Sequence, residues 1–126
     1  MRILKNRWFD KFARKQGIGA AALRNAVVRA EQGLIDADLG GGVIKQRVAR
    51  EGQGKSGGYR TIILFRSGRL AVFAFGFAKS DQANLAERDL ADLRKLAALL
   101  FASTDQELDR AVATGWYVEL RDGQDL

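Results

Sequence analysis

Two hydrophobic periods divide the chain. Trp8, Phe9 and Phe12 recur at helical spacing and predict a helix from Asn6 to Gln16, with Asn6 as N-cap and Gly17 ending it. Lys5, Arg7, Lys11, Arg14 and Lys15 lie on its other, basic face. Leu23, Ala26, Val27 and Ala30 repeat at steps of three and four and predict a second helix from about Gly19 to Gln32, closed by Gly33. Two successive helices before any long strand predict a helical hairpin.

After Gly40-Gly41-Gly42 the period changes. Val43 to Arg50 reads as a strand, Glu51 to Gly58 as a glycine-rich loop, Tyr59 to Arg66 as a second strand, and Leu70 to Ala78 as a third. Ser67-Gly68 supplies a tight turn between the last two, so the three predict an antiparallel meander. Ser80-Asp81 is read as the cap of a long helix reaching about Leu100, with Leu93, Leu96, Ala97 and Leu100 as its buried stripe. Thr104 and Glu107 have capping-box spacing and start another helix, which Gly115 stops. Trp116, Val118 and Leu120 alternate with polar neighbours as a final strand, and Arg2 to Lys5 forms a short first one. The expected fold is α+β: a small, mostly antiparallel sheet, a three-strand meander plus terminal strands, packed with helices in a single domain over residues 1–126.

Composition narrows the chemistry. A chain of 126 residues, 47% of them hydrophobic, buries about two-thirds of its unfolded surface. It has no cysteine and no histidine, which excludes disulfides, zinc sites of the usual kind and a histidine general base. No cofactor and no metal are expected. The longest apolar stretches, such as Ala97 to Ala102, fall well short of a membrane span, and no secretion signal is read at Met1 to Arg7, so a cytoplasmic location without membrane contact is expected. The net charge of +6 is unevenly spread: residues 1–79 carry 16 Lys/Arg and 5 Asp/Glu, and residues 80–126 carry 5 and 10. A +11 stretch suits a polyanionic partner, whether RNA, DNA or an acidic protein. It equally suits a solvated basic surface.

Gly54-Lys55-Ser56 imitates the end of a phosphate-binding P-loop. The motif needs a glycine where Ala49 stands and a helix after the Lys-Ser pair, where a strand is predicted, so nucleotide hydrolysis is set aside. Strand alternation carries more information. Lys45 and Arg47 share one face of their strand. Arg60, Ile62, Leu64 and Arg66 share a face of the next, with Tyr59, Thr61, Ile63 and Phe65 opposite. Lys79 is expected beside the N-terminus of the long helix, where free N–H groups attract phosphate. Lys45, Arg47, Lys55, Arg60 and Lys79 are thus expected to converge on one sheet surface. Arg66 and Arg69, flanking the hairpin turn, read as solvated charges, and Tyr59 and Trp116 more simply as core or strand residues than as base-stacking platforms.

The segment from Gly40 to Arg50, followed by Gly52 to Ile63 with its Lys-Ser-Gly-Gly-Tyr-Arg run, resembles a subgroup of the RelE/HigB toxins of bacterial type II toxin–antitoxin systems. Phe75-Gly76-Phe77-Ala78-Lys79-Ser80 fits the same subgroup, and the resemblance covers nearly the whole chain. It implies a RelE-like fold, ribosome-dependent mRNA cleavage and an antitoxin encoded by an adjacent gene. Within it, Arg60 corresponds to the arginine used on the scissile phosphate, Lys45 and Arg47 to paired basic positions, and Lys79 to a basic residue at the strand-to-helix junction. Two positions depart from RelE: Ser80 replaces a second arginine, and Leu85 or Ala86 stands where RelE has a catalytic tyrosine.

Cleavage by the RNA's own 2′-OH needs a base, an acid and charge neutralisation on the phosphate. Without histidine, lysine is the natural base. The catalytic candidates are therefore Arg60 on the phosphate and Lys45 or Lys55 as base; Arg47, Lys79 and Arg50 are the candidate RNA-binding residues. Two alternatives stay open, a ParE-like toxin that inhibits DNA gyrase without cutting RNA, and a non-catalytic nucleic-acid-binding module.

Overall fold

Strand β1 (Arg2–Asn6) runs directly into helix α1 (Arg7–Gln16) because Asn6 serves both. Its Oδ1 accepts from the Phe9 N–H at 2.8 Å, capping the helix, while its Nδ2 donates to the Ala74 carbonyl at 2.9 Å, tying the junction to the sheet. The computed structural model describes residues 1–50, 54–78 and 85–121, with the side chains at 50 and 54–57 outside that description. Helix α1 ends on Gly17 in the left-handed region, and α2 (Ala20–Glu31) follows. Then come β2 (Ala37–Asp38), β3 (Val43–Arg50), β4 (Gly54–Arg66), β5 (Leu70–Ala78), α3 (Glu87–Ala102), α4 (Asp105–Ala113) and β6 (Tyr117–Glu119).

The strands form one sheet in the order β2-β3-β4-β5-β1-β6. The expected meander is present as β3-β4-β5, all antiparallel. The exception to antiparallel pairing is β1, which lies parallel to β5, with Leu4 opposite Val72. The α+β class and the mostly antiparallel sheet agree with the sequence reading. Helices cover both faces. Phe9, Ala13, Leu23, Ala26 and Val27 from α1 and α2 pack with Ile44, Val48, Tyr59, Ile63 and Phe73 on one side. Ala97, Leu100 and Leu108 from α3 and α4 pack with Leu4, Val43, Ile62, Leu64 and Val72 on the other. Burial on both faces explains why the central strands are apolar at consecutive positions rather than at alternate ones.

Several sequence-based boundaries change. Helices α1 and α2 do not close on each other as a hairpin; α2 rests chiefly on β3, and α1 on β5 and β1. Strand β4 begins at Gly54, so part of the expected glycine loop continues the sheet, beside an irregularity between Val48 and Arg50. Its extended course also removes the helix that a P-loop reading of Gly54-Lys55-Ser56 requires. Helix α3 begins at Glu87, with extended Ala86 as an N-cap that makes no side-chain hydrogen bond. Its start is therefore not at Ser80-Asp81, which lie outside the described residues. The capping box at α4 is as expected: Thr104 and Glu107 exchange side-chain to backbone bonds of 3.1 and 2.8 Å. No helix among the described residues is long and apolar enough to cross a membrane.

Glycine matters most where elements approach closely. Gly40, Gly41 and Gly42 all have positive φ and form the turn between β2 and β3; a Cβ on Gly42 would stand 2.5 Å from the Phe101 ring of α3. Gly76 lets α1 settle onto β5. An added Cβ there would lie 2.7 Å from the Phe12 ring and 3.1 Å from that of Phe9. Gly76→Ala is expected to cost about 1–3 kcal/mol through overpacking, read as a lower midpoint in urea unfolding. An unchanged midpoint would contradict this seating of α1.

Candidate functional site

Strand parity and register together decide which cations meet. In the β3–β4 ladder Arg47 stands directly opposite Arg60, and Lys45 opposite Ile62. These residues lie on the face covered by α3 and α4, but burial declines along it: Val43, Ile62 and Leu64 are buried, whereas Lys45, Arg47 and Arg60 are half-buried. On the β5 side Phe77 pairs with Arg60 and Phe75 with Ile62, both half-buried. The Trp8 ring stacks on Phe75 with centroids 4.5 Å apart. A half-buried basic group thus sits beside a row of aromatic rings where the apolar cover thins.

Like charges directly opposite in a ladder repel. The compensation around Arg60 comes from Asp36, whose Oδ2 lies 2.7 Å from the Arg60 Nε. Both side chains are largely withdrawn from water, at 18% and 29% exposure. On the far side of the guanidinium, Nη1 is shielded from solvent and has no hydrogen-bond partner among the described residues. Leaving a charged donor so costs on the order of 1–3 kcal/mol.

The segment that presents Asp36 is fixed at two points. The Asp36 N–H donates to the Lys45 carbonyl at 3.0 Å, extending the short β2–β3 pairing in which Ala37 faces Lys45. Buried Gln46 donates through Nε2 to the carbonyls of Leu34 at 2.9 Å and Ala26 at 3.0 Å, which ties the middle of α2 and the segment after it to β3. Arg29 of α2 donates to the Arg47 carbonyl and, through Nε, to Asn25. Burial and then the charge of Arg47 pull the Arg29 guanidinium below its ordinary range, with Asp36 acting in the opposite sense. Arg29, Arg47, Asp36 and Arg60 therefore belong to one charge cluster at the β3 edge.

Of the residues expected to converge, Lys45, Arg47 and Arg60 share one face. Arg50 and Lys55 occupy β3 and β4, but their side chains lie outside the described residues. Lys79 also lies outside them. Tyr59 is core: it is buried and its hydroxyl donates to Gln16 Oε1 at 3.1 Å. Trp116, in contrast, is neither core nor strand: it is exposed and directly precedes β6, in the turn that follows α4. Arg66 is exposed as expected, but Arg69 is not a solvated charge, since its guanidinium donates to the Phe101 and Ser103 carbonyls and closes the C-terminus of α3. Sequence reasoning missed Asp36 and Arg29. Asp36 falls in a connector whose strand is two residues long and carries no period, so nothing in the pattern aims it at Arg60. Among the described residues, no three His, Cys, Asp or Glu side chains group as metal ligands.

This geometry gives the Asp36–Arg60 pair a small net role in stability. Desolvation of both groups, the unsatisfied Nη1 and the opposing Arg47 offset the attraction between them. Arg60→Met, which keeps the bulk and removes the charge, is expected to change the unfolding free energy by less than about 1 kcal/mol in urea titration. A loss well above 2 kcal/mol would make the pair a structural one.

The chain was compared with known proteins. It matches, over residues 1–120, the model of the family described as the RelE toxin of the RelE/RelB toxin–antitoxin system. None of the curated proteins compared with it matches. The family model spans every described element, from β1 to β6, and includes Lys45, Arg47 and Arg60. The chain belongs to the RelE toxin family, whose toxins are paired with an antitoxin.

Proposed function

We propose that this toxin is an endoribonuclease that cleaves mRNA on the ribosome, using basic side chains and the RNA's own 2′-OH. The observation that carries the reading is the cross-strand pair Arg47–Arg60 with Lys45 on the same face, half-buried and bordered by aromatic rings. Half-buried guanidinium groups are weakly hydrated and suit phosphate recognition. In the proposed reaction the 2′-oxygen attacks the adjacent phosphorus as its proton passes to a base, Lys45 or Lys55. The P–O5′ bond breaks and the leaving oxygen takes a proton. Arg60 binds the phosphate as negative charge builds there, and Arg47, Arg50 and Lys79 hold the RNA backbone. The products carry a 2′,3′-cyclic phosphate and a 5′-hydroxyl.

Primer extension on mRNA, with and without ribosomes, tests this reading. Wild-type protein should cut only when ribosomes are present, and Arg60→Ala should cut about 10²–10³-fold more slowly. Cleavage by the wild type should persist in excess chelator once ribosome integrity is controlled, because basic groups do the chemistry. Full activity in Arg60→Ala would remove Arg60 from the site. Growth arrest without any cut RNA would favour gyrase inhibition, and RNA binding without cleavage or arrest would favour a binding module.

The antitoxin bears on the same face. If an acidic antitoxin segment masks Lys45, Arg47 and Arg60, the association rate should fall steeply between low and high salt in stopped-flow mixing with the neighbouring gene's product. A salt-insensitive rate would instead place the antitoxin on an apolar surface such as that of exposed Trp8.

A further inference from the structure

We infer that Asp36 is a positioning residue for Arg60: it pins the Nε side of the guanidinium so that the remaining donors face the position of the scissile phosphate. The inference rests on the nuclease reading for what Arg60 binds, and on the geometry of the pair for how it is held.

An arginine side chain has four rotatable torsions, and its plane must be oriented before its fork can meet a phosphate. The Asp36 Oδ2 contact of 2.7 Å at Nε fixes rotation about the last of these torsions. That leaves Nη1, on the opposite side, shielded and without a hydrogen-bond partner among the described residues. Such a donor set is incomplete; 18% of the Arg60 side chain is exposed, and a non-bridging phosphate oxygen that meets the guanidinium there completes the set once the cover over Nη1 shifts. Asp36 can act as a fixed point because its own segment is held by the Lys45 carbonyl and, through Leu34, by buried Gln46. The alternative role for a carboxylate beside the site is obstruction, in which it competes with phosphate for Arg60. The two roles predict opposite signs for the same substitution. Positioning loses rate when Asp36 is removed, because a misplaced catalytic group can cost up to about a hundredfold. Obstruction gains affinity and rate.

Single-turnover cleavage of ribosome-bound mRNA by Asp36→Ala, Asp36→Asn and Arg60→Ala, and by the Asp36→Ala/Arg60→Ala double variant, separates them, with thermal melts run on each protein. Expected is an about 10–100-fold lower rate at saturating substrate for Asp36→Ala, with substrate affinity unchanged or tighter. Asp36→Asn, which keeps an acceptor oxygen, should lose less. Removing Asp36 in the Arg60→Ala background should cost nothing further, because Asp36 acts through Arg60. Unchanged or faster cleavage by Asp36→Ala overturns the inference, as does a loss that adds fully to that of Arg60→Ala. If Asp36→Ala does not fold, Asp36→Asn carries the same cycle. If the wild-type protein cleaves no RNA, the nuclease reading fails on its own, and the Arg60 Nε–H resonance of ¹⁵N-labelled protein decides the positioning. A protected resonance in the wild type that is lost in Asp36→Ala supports the pin, and one that persists overturns it.

Discussion

Helices cover this sheet on both faces, and that constraint decides where charge can sit. Tyr59 and Ile63 of β4 face α1 and α2, while Ile62 and Leu64 face α3 and α4, so the middle of the strand has no solvent side. An ionised group there would be desolvated without return. Apart from Arg66 at the exposed turn end of β4, the cations whose side chains are described on β3 and β4 are Lys45, Arg47 and Arg60, and they lie where burial declines. The clustering of positive charge follows from packing, before any ligand is invoked. Because the apolar strands end in half-buried cations rather than in solvent, those cations are poorly hydrated, which is the condition under which a guanidinium interacts most strongly with an anion.

A cluster of that kind needs an internal counter-charge, and the fold supplies it from the sheet edge. Strand β2 is only two residues long, so β3 runs past it, and the Arg47 carbonyl is taken by Arg29 of α2 instead of by a neighbouring strand. Asp36, immediately before β2, is the carboxylate that reaches Arg60. Edge protection and charge compensation are therefore handled by one segment, and buried Gln46 secures it to β3.

What could be read from the sequence was what depends on local chemistry. Asn6 and the Thr104–Glu107 pair announce helix starts through their own side chains, and both caps form as read. The two-residue period of strands placed Lys45 with Arg47, and Arg60 with Ile62, before any pairing was known. Register was not legible: only the ladder brings Arg47 opposite Arg60, since nothing in either strand alone sets their offset. The same holds for β1, whose parallel partner β5 lies more than sixty residues away in sequence. Arg69 read as solvated because its neighbours are turn residues, yet it closes a helix that begins far downstream. The onset of α3 was misplaced because Ser80-Asp81 looks like a cap, whereas the helix starts behind Ala86, which makes no capping bond.

Fold alone does not distinguish a nuclease from a toxin that only binds, because both can place cations on the same sheet face. The distinction lies in how firmly those cations are held. A surface for binding a polyanion gains from charge in any orientation, since affinity comes largely from counterion release. Catalysis requires a donor aimed at one atom before the substrate arrives, because reorienting it during the reaction consumes the stabilisation it would provide. An arginine kept only for binding would gain little from a carboxylate at 2.7 Å, which cancels part of the charge that attracts the RNA. On the nuclease reading proposed above, Asp36 exchanges long-range attraction for a fixed direction at Arg60.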